Sequence, residues 1–154
     1  MPGDPLATAV WEGDRHVSVL EQALRDWHAA PAADLAELDA DAEKLRVLDQ
    51  LLFRFTKLQD AMGTRLLPAT LAALAEPVED WPMIDRLNRL EKLGFLNADE
   101  WLSWRQIRNQ LSHEYPEPPE VRFTVLTAAV TAAGELAQVY RDWRRRLTSI
   151  GGSV

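Results

Sequence analysis

Apolar positions recur three and four residues apart along most of the chain, and no stretch alternates in the manner of a half-buried strand. Val17, Leu20, Leu24 and Trp27 predict a first helix over about 14–29, with residues 1–13 expected to fray. Ala30-Pro31-Ala32-Ala33-Asp34 breaks it. A long second helix is predicted over about 35–74, on a stripe of Leu45, Leu48, Leu52, Phe55, Met62 and Leu66. Pro68 lacks an amide hydrogen and clashes with the carbonyl four residues back, so a kink is expected near 64–67.

Glu76-Pro77-Val78-Glu79-Asp80-Trp81-Pro82 reads as a loop, followed by a short helix over about 82–93 with Ile84, Leu87 and Leu90 inward. Gly94 suits the position just past its end. Asn97 is placed to cap the next helix, with Glu100 reaching back to complete a capping box. That helix is expected to run to His113 or Tyr115, where Pro116, Pro118 and Pro119 close it and open the last one, about 119–150. Gly151-Gly152-Ser153 should fray. Long helices with short joins predict an all-α fold, an antiparallel bundle of roughly four to five helices in a single domain spanning 1–154.

The chain of 154 residues has no cysteine, which excludes disulfides and thiolate metal sites. It has no apolar run long enough to span a membrane and no signal-peptide pattern at its start, so a cytoplasmic location is expected. Residues 1–43 hold ten acids against Arg15 and Arg25, a net of −8, and the remainder supplies +1 of the total of −7. This acidity argues against generic nucleic-acid binding but leaves room for a small basic site, and for an acidic flank that could meet a basic partner.

The stretch richest in chemistry is Arg108-Asn109-Gln110-Leu111-Ser112-His113-Glu114-Tyr115. On an ideal wheel Trp104, Ile107, Leu111 and Tyr115 make the apolar face, and Arg108 sits on its rim. Ser112, Arg105, Asn109 and His113 form a polar strip beside it. Such a strip suits phosphodiester cleavage in RNA without a metal: histidine titrates in the range needed for proton transfers, and arginine grips phosphate with two coplanar donors. Asn109 and Ser112 can orient either group. Arg108 and His113 stand about 140° apart on the wheel, too far to grip one small group unless loosening of the helix before Pro116 swings His113 round or a second copy of the strip closes the gap. Placement alone also allows a reading without catalysis, since an arginine and a histidine near a helix C-terminus complement its dipole.

Arg108, Asn109, His113 and Tyr115 together resemble the R-x4-H-x-Y signature of HEPN-domain proteins in the form found in HepT-like toxins. The segment 48–63, from Leu48 to Gly63, also resembles HepT-like and nucleotidyltransferase substrate-binding sequences, and the likeness covers most of the chain from about Asp34 onward. The resemblance implies a helical bundle that dimerises and brings two motif copies into one cleft. It implies a metal-independent ribonuclease acting on RNA such as tRNA, with Arg108 and His113 as the catalytic pair and Asn109 as the polar residue beside them. It also implies a minimal nucleotidyltransferase antitoxin that transfers AMP to Tyr115 and silences the toxin, and it implies no cofactor and no metal. A non-catalytic subunit that presents or scaffolds substrate for a nucleotidyltransferase is the alternative.

Other candidates carry less. Arg54, Lys57 and Arg65 share one side of the second helix, as a solvated face or a phosphate-tracking patch. Gln59 falls inside the apolar stripe, where an amide is costly unless bonded; it either bonds a backbone group or supports the motif across the bundle. Arg141, Arg144, Arg145 and Arg146 form a basic helix end that the dipole explains, with RNA contact as the alternative. His16 and His28 lack ligand spacing, and Trp101 and Trp104 are expected in the core.

Overall fold

The computed structural model describes residues 3–112 and 117–150, and every regular element among them is helical. The first helix, α1, spans Pro5–Ala29, nine residues ahead of its expected start. Asp4 stops the chain in an extended conformation and accepts from the amides of Leu6 and Ala7 at 3.1 and 3.2 Å, and Pro5 brings its fixed φ to the first turn. Ala9 and Val10, expected to fray, are buried.

The long second helix is interrupted. α2 covers Leu35–Ala40 and α3 covers Ala42–Ala61, separated by Asp41, whose φ of −120° and ψ of 100° are not helical. Asp41 accepts from the amides of Glu43 and Lys44, so it serves as a cap inside what the apolar rhythm presents as one helix. A π-helical turn follows at Met62–Leu66, and α4 continues over Leu67–Ala73. The amide of Leu67 bonds the carbonyl of Met62, five residues back. The distortion thus falls just before Pro68, where the ordinary ladder must lose a donor.

α5 spans Met83–Lys92, with Leu87 and Leu90 fully buried. Ile84, expected inward, is 46 % exposed, because the first turn of α5 projects beyond its neighbours. Gly94 follows with φ +86°, the left-handed conformation a glycine adopts freely. α6 spans Ala98–Leu111 and α7 spans Pro119–Ser149. The expected fraying of 151–153 lies outside the described residues.

Side-chain contacts fix the directions. His16 meets Arg54 and Glu12 meets Arg65, so α1 and the α3 segment run antiparallel. Glu21 meets Arg141 and Asp14 meets Arg144, so α7 is antiparallel to α1. Trp104 reaches Glu135 while Gly94 lies against Arg146, so α6 and α7 are antiparallel too. The result is an up-down-up-down bundle of α1, α3, α6 and α7. Its core includes Leu20, Leu51, Phe55, Leu58, Trp104, Leu136, Tyr140 and Trp143. Among the described residues no helix is long and apolar enough to cross a membrane.

One crossing is unusually close. The Tyr140 ring lies against α1 at Gly13, where an added Cβ would stand 2.5 Å from Tyr140 Cζ. The hydroxyl donates to the carbonyl of Val10 at 3.0 Å or to Asp14 Oδ1 at 2.8 Å, and burial with the Asp14 carboxylate pushes its titration far up. Arg144 also holds Asp14. The arginines at the end of α7 therefore tie it to the acidic first helix and to its own surroundings: Arg141 to Glu21, Arg145 to Asp142, and Arg146 to the carbonyl of Leu93 and the Phe95 ring.

Candidate functional site

α6 carries the motif, and its start is firmly held. Asn97 Oδ1 accepts from the amide of Glu100 at 2.9 Å, as expected of a cap. The amide of Ala98 is taken by Glu91 at the end of α5, at 2.6 Å, so the carboxylate at this cap comes from another helix, and the expected reach of Glu100 back to Asn97 is not among the bonds of the described residues. Trp101 and Trp104 are both buried, the former over Gly63, where a Cβ would meet its ring at 3.2 Å. Trp104 Nε1 donates to Glu135 at 3.2 Å.

These anchors set the rotation of α6 about its axis. Ile107 and Leu111 are half-buried against the core, while Arg105, Asn109 and Ser112 face outward. Arg108 lies on the boundary, as its place on the wheel suggests. Its side chain is 26 % exposed, and one terminal nitrogen donates to Asp60 Oδ2 at 3.0 Å. Arg108 Nε is enclosed and has no partner among the described residues, so an anion approaches through the terminal nitrogens. Asp60 fixes the direction of the guanidinium and neutralises part of its field; the other terminal nitrogen still offers donors in the same plane.

The last helical turn closes at Ser112. Its amide bonds the carbonyl of Asn109 at 3.2 Å, and its hydroxyl bonds the carbonyl of Arg108 at 3.2 Å. Asn109 is exposed beside Arg108. The other two motif residues, His113 and Tyr115, lie outside the described residues, as does the expected end of the helix beyond Ser112.

A groove of about 290 Å³ opens next to this helix end. Leu52, Phe53 and Thr56 of α3 form one wall, Gln110 and Leu111 of α6 another, and Arg122 of α7 stands among the residues of the third. Glu117, the first described residue after the motif, is at its edge.

Asp60 is the partner that local sequence reasoning does not find. It is 48 positions from Arg108, and only the packing of α3 against α6 brings them together. Its neighbour Gln59 is fully buried, as the apolar stripe suggests, but neither amide atom has a partner among the described residues, so the expected bond to a backbone group is not made there. The proposed basic row of Arg54, Lys57 and Arg65 is divided: Arg65, in the π-helical turn, pairs with Glu12, and Arg54 donates to His16 Nδ1 at 3.0 Å, which makes that nitrogen the unprotonated one. Burial first, then the Arg54 charge, lowers the titration of His16.

The arrangement offers a fixed guanidinium at the rim of a bundle, polar groups beside it, and a groove at the same helix end. No protein-family model, curated protein or solved structure matches this chain.

Proposed function

We propose that this chain is a HEPN-type ribonuclease of the HepT-like kind, the toxin of a pair whose other member is a minimal nucleotidyltransferase. The observation that carries the reading is the R-x4-H-x-Y octapeptide at a helix end of an all-α bundle, with its arginine held at the rim of the core by Asp60. In this reading His113 serves the proton transfers: the 2′-hydroxyl loses a proton as it attacks phosphorus, and the departing 5′-oxygen gains one. Arg108 donates to the equatorial oxygens as charge builds on them. Asn109 orients one of the two groups. A homodimer places two motif copies in one cleft, and a phosphate-linked AMP on Tyr115 fills the space an RNA phosphate needs. The setting is cytoplasmic, with RNA as substrate.

The test is cleavage of RNA by purified, unmodified protein alongside Arg108→Ala and His113→Ala. Loss of cleavage in both variants, with relief of growth arrest on expression, supports the reading; equal cleavage by all three proteins overturns it. AMP transfer is read by intact mass after co-expression with a minimal nucleotidyltransferase encoded beside this chain, once one is identified there, and Tyr115→Phe must abolish the gain.

The Asp60 carboxylate favours a second reading. It occupies part of the arginine that would grip phosphate, in a chain of net charge −7. A non-catalytic subunit that scaffolds a nucleotidyltransferase fits those facts, and it requires a stable complex without ribonuclease activity.

A further inference from the structure

Phe53 is 54 % exposed on the wall of the groove beside the motif helix. An aromatic ring left half in water forgoes the gain of burial, and this one is flanked by cations. Arg54 Cζ lies 5.6 Å and Lys57 Nζ 5.5 Å from its centroid. Arg54 is held in place by its bond to His16. Within the groove Thr56 and Gln110 supply a hydroxyl and an amide, and Arg122 supplies a further guanidinium.

The lining mixes five apolar residues, Leu52, Phe53, Leu111, Val125 and Leu126, with four polar or charged ones, and at about 290 Å³ the groove is too small to seat an amphipathic peptide helix. Its volume lies near the lower end of the range for small-molecule sites, roughly 300–1,000 Å³. An aromatic platform, hydrogen-bonding groups for a base edge and cations for a phosphate are the elements by which proteins hold unpaired nucleotides. Glu117 at the rim repels phosphate and can accept from an exocyclic amine, which favours one orientation of the nucleotide over the reverse. Position adds to chemistry: Gln110 and Leu111 lead directly into the motif tail and Glu117 leaves it.

We propose that this groove is a subsite for one unpaired nucleotide of a single strand, stacking the base on Phe53 with Lys57 and Arg122 attending the phosphates. The choice of RNA as the natural strand rests on the ribonuclease reading above. The subsite deepens it by requiring that substrate be unpaired next to the scissile bond.

The test is fluorescence anisotropy of the full-length protein with a labelled 2′-O-methyl oligoribonucleotide, which lacks the attacking hydroxyl and stays intact. Phe53→Ala should weaken binding by ~10-fold, the loss expected when a base no longer stacks on an aromatic ring. Phe53→Leu should weaken it comparably and Phe53→Trp should retain it, while thermal unfolding changes little because the ring is exposed. Lys57→Gln should weaken binding and reduce the slope of log affinity against log salt by about 0.7, as for one phosphate contact on a single strand. A duplex of the same sequence should bind more weakly.

Binding unchanged in both Phe53→Ala and Lys57→Gln overturns the subsite, as does the absence of binding or equal binding of the duplex. Free AMP competing as well as the oligonucleotide also overturns it, in favour of a mononucleotide site. The two proposals fail separately. Cleavage with Phe53-independent binding removes the subsite and keeps the ribonuclease, whereas Phe53-dependent binding by a protein that never cleaves RNA does the reverse.

Discussion

Asp60 of α3 holds Arg108 of α6 through a 3.0 Å bond between Oδ2 and a terminal guanidinium nitrogen. The two side chains are 35 % and 26 % exposed, so solvent screens the pair and its contribution to stability is at most about 1 kcal/mol. Its consequence is geometric. Asp60→Ala should lower kcat for RNA cleavage by ~10-fold with a smaller change in KM, and Asp60→Asn should retain more activity because its amide oxygen still accepts. Thermal unfolding alongside the kinetics separates positioning from stability. Kinetics identical to wild type in Asp60→Ala would show that the arginine needs no such support.

Gly13 and Tyr140 make a different kind of contact. Gly13→Ala forces a Cβ into the tyrosine ring, and overpacking of this sort costs about 1–3 kcal/mol, with more if both hydrogen-bonding arrangements of the hydroxyl are lost. Urea unfolding should show the loss as a lower midpoint. Tyr140→Phe should not rescue Gly13→Ala, because ring carbons as well as the hydroxyl occupy the space.

His16 makes stability depend on pH. Its folded-state titration is depressed by burial and by Arg54, so as pH falls through about 6.5 the unfolded chain takes up the proton first. Stability contributed by neutral His16 is complete above that pH and declines below it. His16→Gln removes the titration and keeps an acceptor for Arg54. Urea midpoints at pH 7.5 and 5.5 should fall further in wild type than in this variant; parallel falls would place the pH dependence in other groups.

Gln59 is fully buried, with neither amide atom bonded among the described residues. Replacing it with methionine keeps much of its shape and removes the cost of enclosing polar atoms. Gln59→Met should stabilise the fold by about 1–2 kcal/mol in chemical denaturation. Destabilisation would mean that the amide is bonded in solution.

Much of this architecture is legible in the order of residues. Leu48, Phe55, Met62 and Leu66 announce the inner face of the α3 segment, and Gly94 and Asn97 mark a helix end and the next start through backbone chemistry that is local. The first turns of α1 were equally local: Asp4 before Pro5 is a cap followed by the residue that tolerates the first helical position best, and Leu6 and Val10 continue the spacing of Val17, Leu20 and Leu24, so the expected fraying of 1–13 ran against a signal that was present. The break at Asp41 is masked because apolar spacing continues across it. Ile84 misleads because a helix turn beyond its neighbours has nothing to bury against. Of the site, Arg108 and Asn109 stand out by type and spacing, whereas Asp60 and the groove at Phe53 exist only through packing between helices.

The wide turn at Met62–Leu66 begins beside the residue that orients the motif arginine. Thr64 Oγ1 bonds the carbonyl of Asp60 at 2.6 Å while the Asp60 side chain reaches Arg108. Helix length and site geometry are thus mechanically linked. Losing a single residue from that turn would restore an ordinary helical register and rotate one side of the linkage against the other. Insertions and deletions there should be far less interchangeable than in the loops, even though no motif residue is touched.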